Sequence, residues 1–476
     1  VLFPGIIWRF LLVALFGGIS IGIANIFRRQ WMDVEILPFP QVLVAHSCIA
    51  NIENLDKKEW YQRKPFLIGI LLGVLSAIPL SGATLFPWFP DIYGWRVNTC
   101  SFGTHQIAPL DNPWNLGIVK LPPVYALLLL VPLNYLISIV FYTMVYEAGT
   151  FITYYYGAYT GYLSKGYCGR SWCSGTPFTD PPLNFATLIT GATLGLVVIT
   201  LFLERDHIVR TLRSAFGTRL DEEQQEPTSY RSSYMILIIS YILLMVFFIF
   251  TGFSPWVSFV LPLSGIISWF VMVQLWGKVG FGIQPCYSLT PGVIRIFVWP
   301  SVVNPEVTSL DTALVPEMSR GWIGHGWSWG GSFFTFLASY KMASITGVNP
   351  RNVLKVMAVA VFIAMLATEI VQTAIVGVYG YGRFPSKCLE EPLEVYNDAL
   401  WTRPSVSLMT EVTPWLVTGF VLMVVLGYLC NRFFWLPNPI MAIVGWEWIA
   451  TLSGVWAACL VAWVIKTAVL RIGGSK

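Results

Sequence analysis

Residues 4–26 read PGIIWRFLLVALFGGISIGIANI, carry Arg9 as their single charge, and run directly into Arg28 and Arg29. A helix over that stretch reaches roughly 35 Å at 1.5 Å per residue, enough to cross about 30 Å of hydrocarbon. Comparable apolar stretches recur near 65–88, 118–145, 184–203, 233–251, 254–277, 327–346, 352–376, 410–430 and 442–465. The chain therefore reads as an all-α, polytopic helical membrane protein with at least ten transmembrane helices. Across all 476 residues, 55% are hydrophobic and only 11% charged, against about 25% charged in an ordinary soluble domain, which excludes a soluble enzyme as the default.

The formal charge of +4 is too small an excess to imply a nucleic-acid partner. The basic residues are more simply topology signals, which puts the Arg-rich stretch after Glu204 on the cytoplasmic side of a cell membrane. That reading divides the chain into an N-terminal membrane bundle over 1–203, a charged cytoplasmic linker over 204–232 and a C-terminal bundle over 233–476. Val1 stands where a Met is ordinary, so the sequence is expected to lack its natural start, and no signal peptide is assigned.

Two shorter pieces, 37–52 and 154–163, carry Pro and Gly or fall short of a span, which suits broken or re-entrant helices. Such backbone is tolerated at membrane depth only where protein or a wet cavity satisfies it. Leu37-Pro38-Phe39-Pro40-Gln41 gives a rigid, donor-poor start to a half-span, with its first N–H groups left for an anion or water. His46 follows in the same piece. It reads as a locally satisfied polar residue or, less simply, as a substrate contact.

Glu369 and Gln372 lie three apart, hence on one helix face, within an apolar run. A buried carboxylate there reads as a proton-coupling group or, equally, as a residue near the membrane edge. Glu147, near Tyr154-Tyr155-Tyr156, is a weaker version of the argument. Gly321 to Gly331 combines flexible backbone with flat aromatic surface: His325, Trp327 and Trp329 could floor a substrate path that continues to Lys341, or form an interfacial aromatic belt.

Catalytic motifs are weak. Gly326-Trp327-Ser328-Trp329-Gly330 has the letters of a hydrolase elbow without the strand-turn-helix setting that exposes a nucleophile. His46, His105, His207 and His325 are too scattered for paired haem ligation, and no Walker loop or zinc-protease motif occurs. No cofactor and no metal is expected, and the chain is read as no enzyme. Cys168 and Cys173 flank a compact loop and are candidates for a disulfide, as are Cys100 with Cys388. Cys48, Cys286, Cys430 and Cys459 read as small buried hydrophobes.

Several segments resemble oligopeptide-transporter-like membrane proteins, in particular a prokaryotic branch related to them. They are Leu37 to Pro40, Lys64 to Gly69, Tyr230-Arg231, Lys341 to Arg351 with its Asn-Pro-Arg turn, Asn438-Pro439, and Ala462 to Lys466 leading into Arg471 to Gly474. The resemblance implies a two-halved secondary carrier with a central path, taking up small peptides or metal chelates with protons. The chain departs from that family in lacking a clear Asn-Pro-Gly signature. A second reading stays open: a non-catalytic subunit that anchors or organises a larger membrane assembly. The expected partners are the lipid bilayer, a small solute with protons, and, on the second reading, another membrane protein.

Overall fold

The computed structural model describes residues 2–53, 60–92, 116–163, 175–217, 220–280, 294–295, 297–299, 309–316, 318, 329–380, 408–450 and 454–473. The apolar run quoted first forms α1 (Leu2–Arg29), which is apolar on every side, the pattern of a helix surrounded by others. Its end widens into a π turn, Gln30–Val34, in which the Glu35 N–H donates to the Gln30 carbonyl at 2.8 Å. Pro38 and Pro40 then forbid further helix, because each lacks an N–H and pushes the residue before it out of the α region.

The remaining helices are α2 (Pro40–Glu53), α3 (Trp60–Leu85), α4 (Pro122–Leu128), α5 (Leu133–Tyr155), α6 (Phe185–Leu203), α7 (Arg205–Phe216) and α8 (Tyr230–Phe250). They continue as α9 (Pro255–Val279), α10 (Leu310–Pro316), α11 (Trp329–Thr346), α12 (Pro350–Tyr379), α13 (Leu408–Cys430), α14 (Ile440–Ala450) and α15 (Val455–Gly473). Among the described residues there is no strand, and 9 helices are long and apolar enough to cross a membrane. The protein is an all-α, multi-pass membrane protein.

The chain forms two compact units that interleave along the sequence, whereas the sequence reading divided it consecutively. The first comprises Val1–Leu37, Thr193–Gln274 and Tyr287–Phe420. Here α1 lies along α8, with α11 and α12 on other sides. Close approach of α1 and α8 rests on Gly18 and Gly22: a Cβ at Gly22 would meet the Leu237 backbone nitrogen at 3.0 Å. Small residues are how membrane helices gain packing where lipid removes the hydrophobic incentive to associate. Phe16 packs edge-on to Trp269 with centroids 5.5 Å apart, and Phe27 stacks on Trp31 at 4.8 Å.

The second unit comprises Pro38–Ala192, Leu275–Cys286 and Val421–Lys476. In it α5 packs on α14 and α15. Polar side chains tie irregular backbone: the Tyr142 hydroxyl donates to the Pro437 carbonyl at 3.0 Å and Lys466 to the Val131 carbonyl at 2.6 Å. Tyr146, Phe178, Phe185 and Trp446 form one aromatic cluster.

Several expectations shift. The 118–145 stretch breaks at Pro132 into α4 and α5, and 442–465 breaks around Gly454 into α14 and α15. The 327–346 stretch forms α11 but falls outside the set of long apolar helices. At 14 residues, α2 spans roughly 21 Å, too short to cross and hence a half-span. Its first turn is less free than expected, because Val42 and Leu43 N–H donate to the Phe39 carbonyl. Asn349-Pro350 and Asn438-Pro439 are helix starts: the Asn349 side chain accepts the Arg351 N–H at 2.9 Å, and Asn438 the Ile440 N–H at 3.0 Å. Cys459 is buried as expected, whereas Cys48 is exposed. Cys100, Cys168, Cys173, Cys286 and Cys388 lie outside the described residues.

Candidate functional site

In the first unit, the end of α1 gathers charge that the sequence spreads over three hundred residues. Arg28 is buried and grips Glu226 with two bonds, Nε to Oε2 at 2.7 Å and Nη2 to Oε1 at 2.8 Å, while Nη2 also reaches Asp33 at 3.1 Å. This is the planar two-point match that guanidinium makes with a carboxylate. Arg29 pairs with Glu222 at 2.8 Å, and the Arg351 Nη2 donates to the Gln224 carbonyl at 3.2 Å. The segment read as a linker is thus folded against α1 by its own carboxylates.

The neighbouring contacts come from α7 and α11. The Trp31 indole donates to buried Glu204 at 3.0 Å, and His207, also buried, lies with Nε2 2.9 Å from the Ile26 carbonyl. That carbonyl sits just before the π turn, where the widened ladder leaves room for a side-chain donor. Burial pushes the His207 pKa below its ordinary value; the Ile26 bond opposes this, and Arg210 reinforces it. Ser214 donates to Glu223, the Thr211 and Tyr234 hydroxyls meet at 2.9 Å, and the Tyr340 hydroxyl donates to Asn25 at 2.6 Å. Lys341 is buried near enough to Asp33 to feel its charge.

The other end of α1 carries a second ion pair, Arg9 Nη1 to Glu369 Oε2 at 3.4 Å, with Glu369 buried and Arg9 half exposed. Arg9 and Arg28 are roughly 28 Å apart along α1, and Arg351 and Glu369 roughly 27 Å apart along α12. Arg351 contacts the Arg28 end and Glu369 the Arg9 end, so the helices run antiparallel with a slab of hydrocarbon thickness between the pairs.

Within the first unit, Glu369 and Lys341 do not converge. Glu369 pairs with Arg9 whereas Lys341 feels the charge of Asp33, so the two lie toward opposite ends of α1. Pro38, Pro40, Gln41 and His46 belong to the second unit. There the Phe39 N–H donates to the Gly277 carbonyl at 2.8 Å, Pro40 packs where a Cβ on Gly280 would fall, and both Gln41 amide atoms are buried without a hydrogen-bond partner. His46 is half-buried. Trp329 opens α11 and Gln372 lies in α12; their side chains, like His325, Trp327 and Ser328, lie outside the described residues. Glu147 is buried in α5.

Sequence reasoning missed Arg28, Glu204, His207 and Glu226 as one cluster. A signal existed in the spacing of Glu204, His207, Thr211, Ser214 and Ala215, which puts the buried residues of the linker helix on one face. Among the described residues no group of His, Cys, Asp and Glu is arranged to hold a metal ion. The cluster consists of hydrogen bonds and ion pairs between chain segments, an arrangement suited to holding or releasing helix ends.

A family model described as a family of unknown function (DUF6785) matches residues 2–476, and the chain belongs to that family. No curated protein and no solved structure matches the chain.

Proposed function

We propose that this family member is a secondary carrier, similar to the oligopeptide transporters, that moves a small polar solute such as a short peptide or metal chelate together with protons. The observation that carries the reading is the pair of ion pairs at the two ends of α1, Arg9 with Glu369 and Arg28 with Glu226. A carrier must close one side of the membrane as it opens the other. Ion pairs between separate elements, one toward each end of α1, are reversible latches of the kind such a cycle needs. Glu369, buried in an apolar helix and held by an exposed arginine, is the group placed to exchange a proton with the aqueous phase on its side. The half-helix α2, with the unsatisfied Gln41 amide near its start, supplies polar surface of the sort that lines a solute path.

The test is uptake by sealed vesicles containing the purified chain, with and without an imposed proton gradient, across short peptides, metal chelates and amino acids. The carrier reading expects gradient-driven uptake of one class that drops at least tenfold in Glu369→Gln. A second reading, a subunit of a larger membrane assembly, is favoured by α3, of whose most apolar stretch only 6% is buried. Absence of uptake, with stoichiometric co-purification of another membrane protein, would replace the first reading with the second.

A further inference from the structure

The two faces of α7 differ in a way that the charge cluster does not explain. Its inner face, His207, Thr211, Ser214 and Ala215, is buried and anchored to the Ile26 carbonyl, Tyr234 and Glu223. Its outer face is not the polar surface expected of a helix in water. At 100° per residue, Val209, Leu212 and Phe216 fall within about 60° of one another along one side of that face. All three are exposed, Phe216 by 82%. Exposed Arg213 and Arg210 border this strip on one side and Arg205 lies in line with it at the helix start, against one opposing charge, Asp206.

The position of the helix identifies what covers the strip. Membrane-spanning α6 ends at Leu203, and α7 starts at Arg205 with only Glu204 between, so α7 begins at the membrane surface. The exposed Phe202 and Leu203 carry the apolar strip of α6 up to it, and the Arg205 guanidinium lies 4.6 Å from the Phe202 ring centroid while donating to the Phe202 carbonyl at 3.1 Å. A helix with an apolar stripe bordered by cations, starting where a span stops, has the composition that lies in the boundary between headgroups and acyl chains. From this we propose that the outer face of α7 docks on the headgroup layer of an anionic phospholipid leaflet, with Leu212 and Phe216 inserted and the three arginines on lipid phosphates. The bonds of the inner face fix the roll of the helix, so the strip is presented without prior ordering. This proposal is independent of what, if anything, the protein transports.

The test uses the full chain in nanodiscs of phosphatidylcholine with increasing phosphatidylglycerol. A nitroxide at Leu212→Cys, in a background whose native cysteines are replaced, reports collisions with oxygen and with a water-soluble nickel complex. The expected result is a shift from water-like to lipid-like collisions as phosphatidylglycerol rises. Neutralising arginines one at a time to Gln should raise the fraction needed, roughly fivefold for each, and added salt should act in the same direction. Asp206→Asn should lower it, which keeps the test usable if the arginine variants fold poorly. A label that stays water-like at every composition overturns the proposal. So does one that is lipid-like irrespective of lipid charge, or one shielded only when a second polypeptide is bound.

Discussion

Arg28 and Glu226 are 198 positions apart in the chain, yet each satisfies the other's charge in a buried setting. Removing one partner leaves an uncompensated buried charge, so Glu226→Gln should lower stability by about 3–5 kcal/mol, while replacing both residues by apolar ones of similar volume should cost less. Denaturation in detergent followed by intrinsic fluorescence measures both. His207 adds a pH dependence whose sign follows from its lowered pKa, caused first by burial. The folded protein binds that proton more weakly than the unfolded chain. Its contribution is therefore complete above the ordinary histidine value of about 6.5 and is lost as pH falls through the depressed folded value. His207→Gln keeps a donor for the Ile26 carbonyl and should flatten the acid side of the melting-temperature profile. An unchanged profile in that variant would show that another group sets it.

At the scale of elements, apolar length made most spans legible, because a run of about 20 residues without charge has few alternatives to crossing. The splits were harder to read. Pro132 breaks 118–145 into α4 and α5 because it cannot continue a helix, yet the flanking Leu residues keep the hydropathy high across the break. The linker was read from its charge alone, and its buried face, running from Glu204 to Ala215, was overlooked. Packing between α1 and α8 yields a clean test. Gly22→Leu should destabilise by about 1–3 kcal/mol through overpacking against Leu237, whereas Gly5→Ala, with nothing within 4 Å of the added Cβ, should be neutral. Thermal unfolding of the two variants side by side checks it. Asn349→Ala, which removes the cap on α12, should cost about 1 kcal/mol in the same assay.

For the molecule as a whole, the ion pairs fix a register. The separations from Arg9 to Arg28 and from Arg351 to Glu369 are roughly 28 Å and roughly 27 Å along their helices, so the first unit holds one pair toward each end of α1. Sequence reading found Glu369 as an isolated carboxylate in an apolar run, and Arg9 as an isolated charge in another. Their pairing could not be read there, because 360 residues separate them and neither shares a local motif with the other. The most direct test of the carrier account exchanges the two charges. In proton-gradient-driven vesicle uptake, Arg9→Glu and Glu369→Arg should each lose at least tenfold, and the double exchange should recover most of the loss, because the latch is restored with its polarity reversed. Single exchanges that transport normally, or a double exchange no better than the worse single one, would contradict the claim that this pair latches a transport cycle.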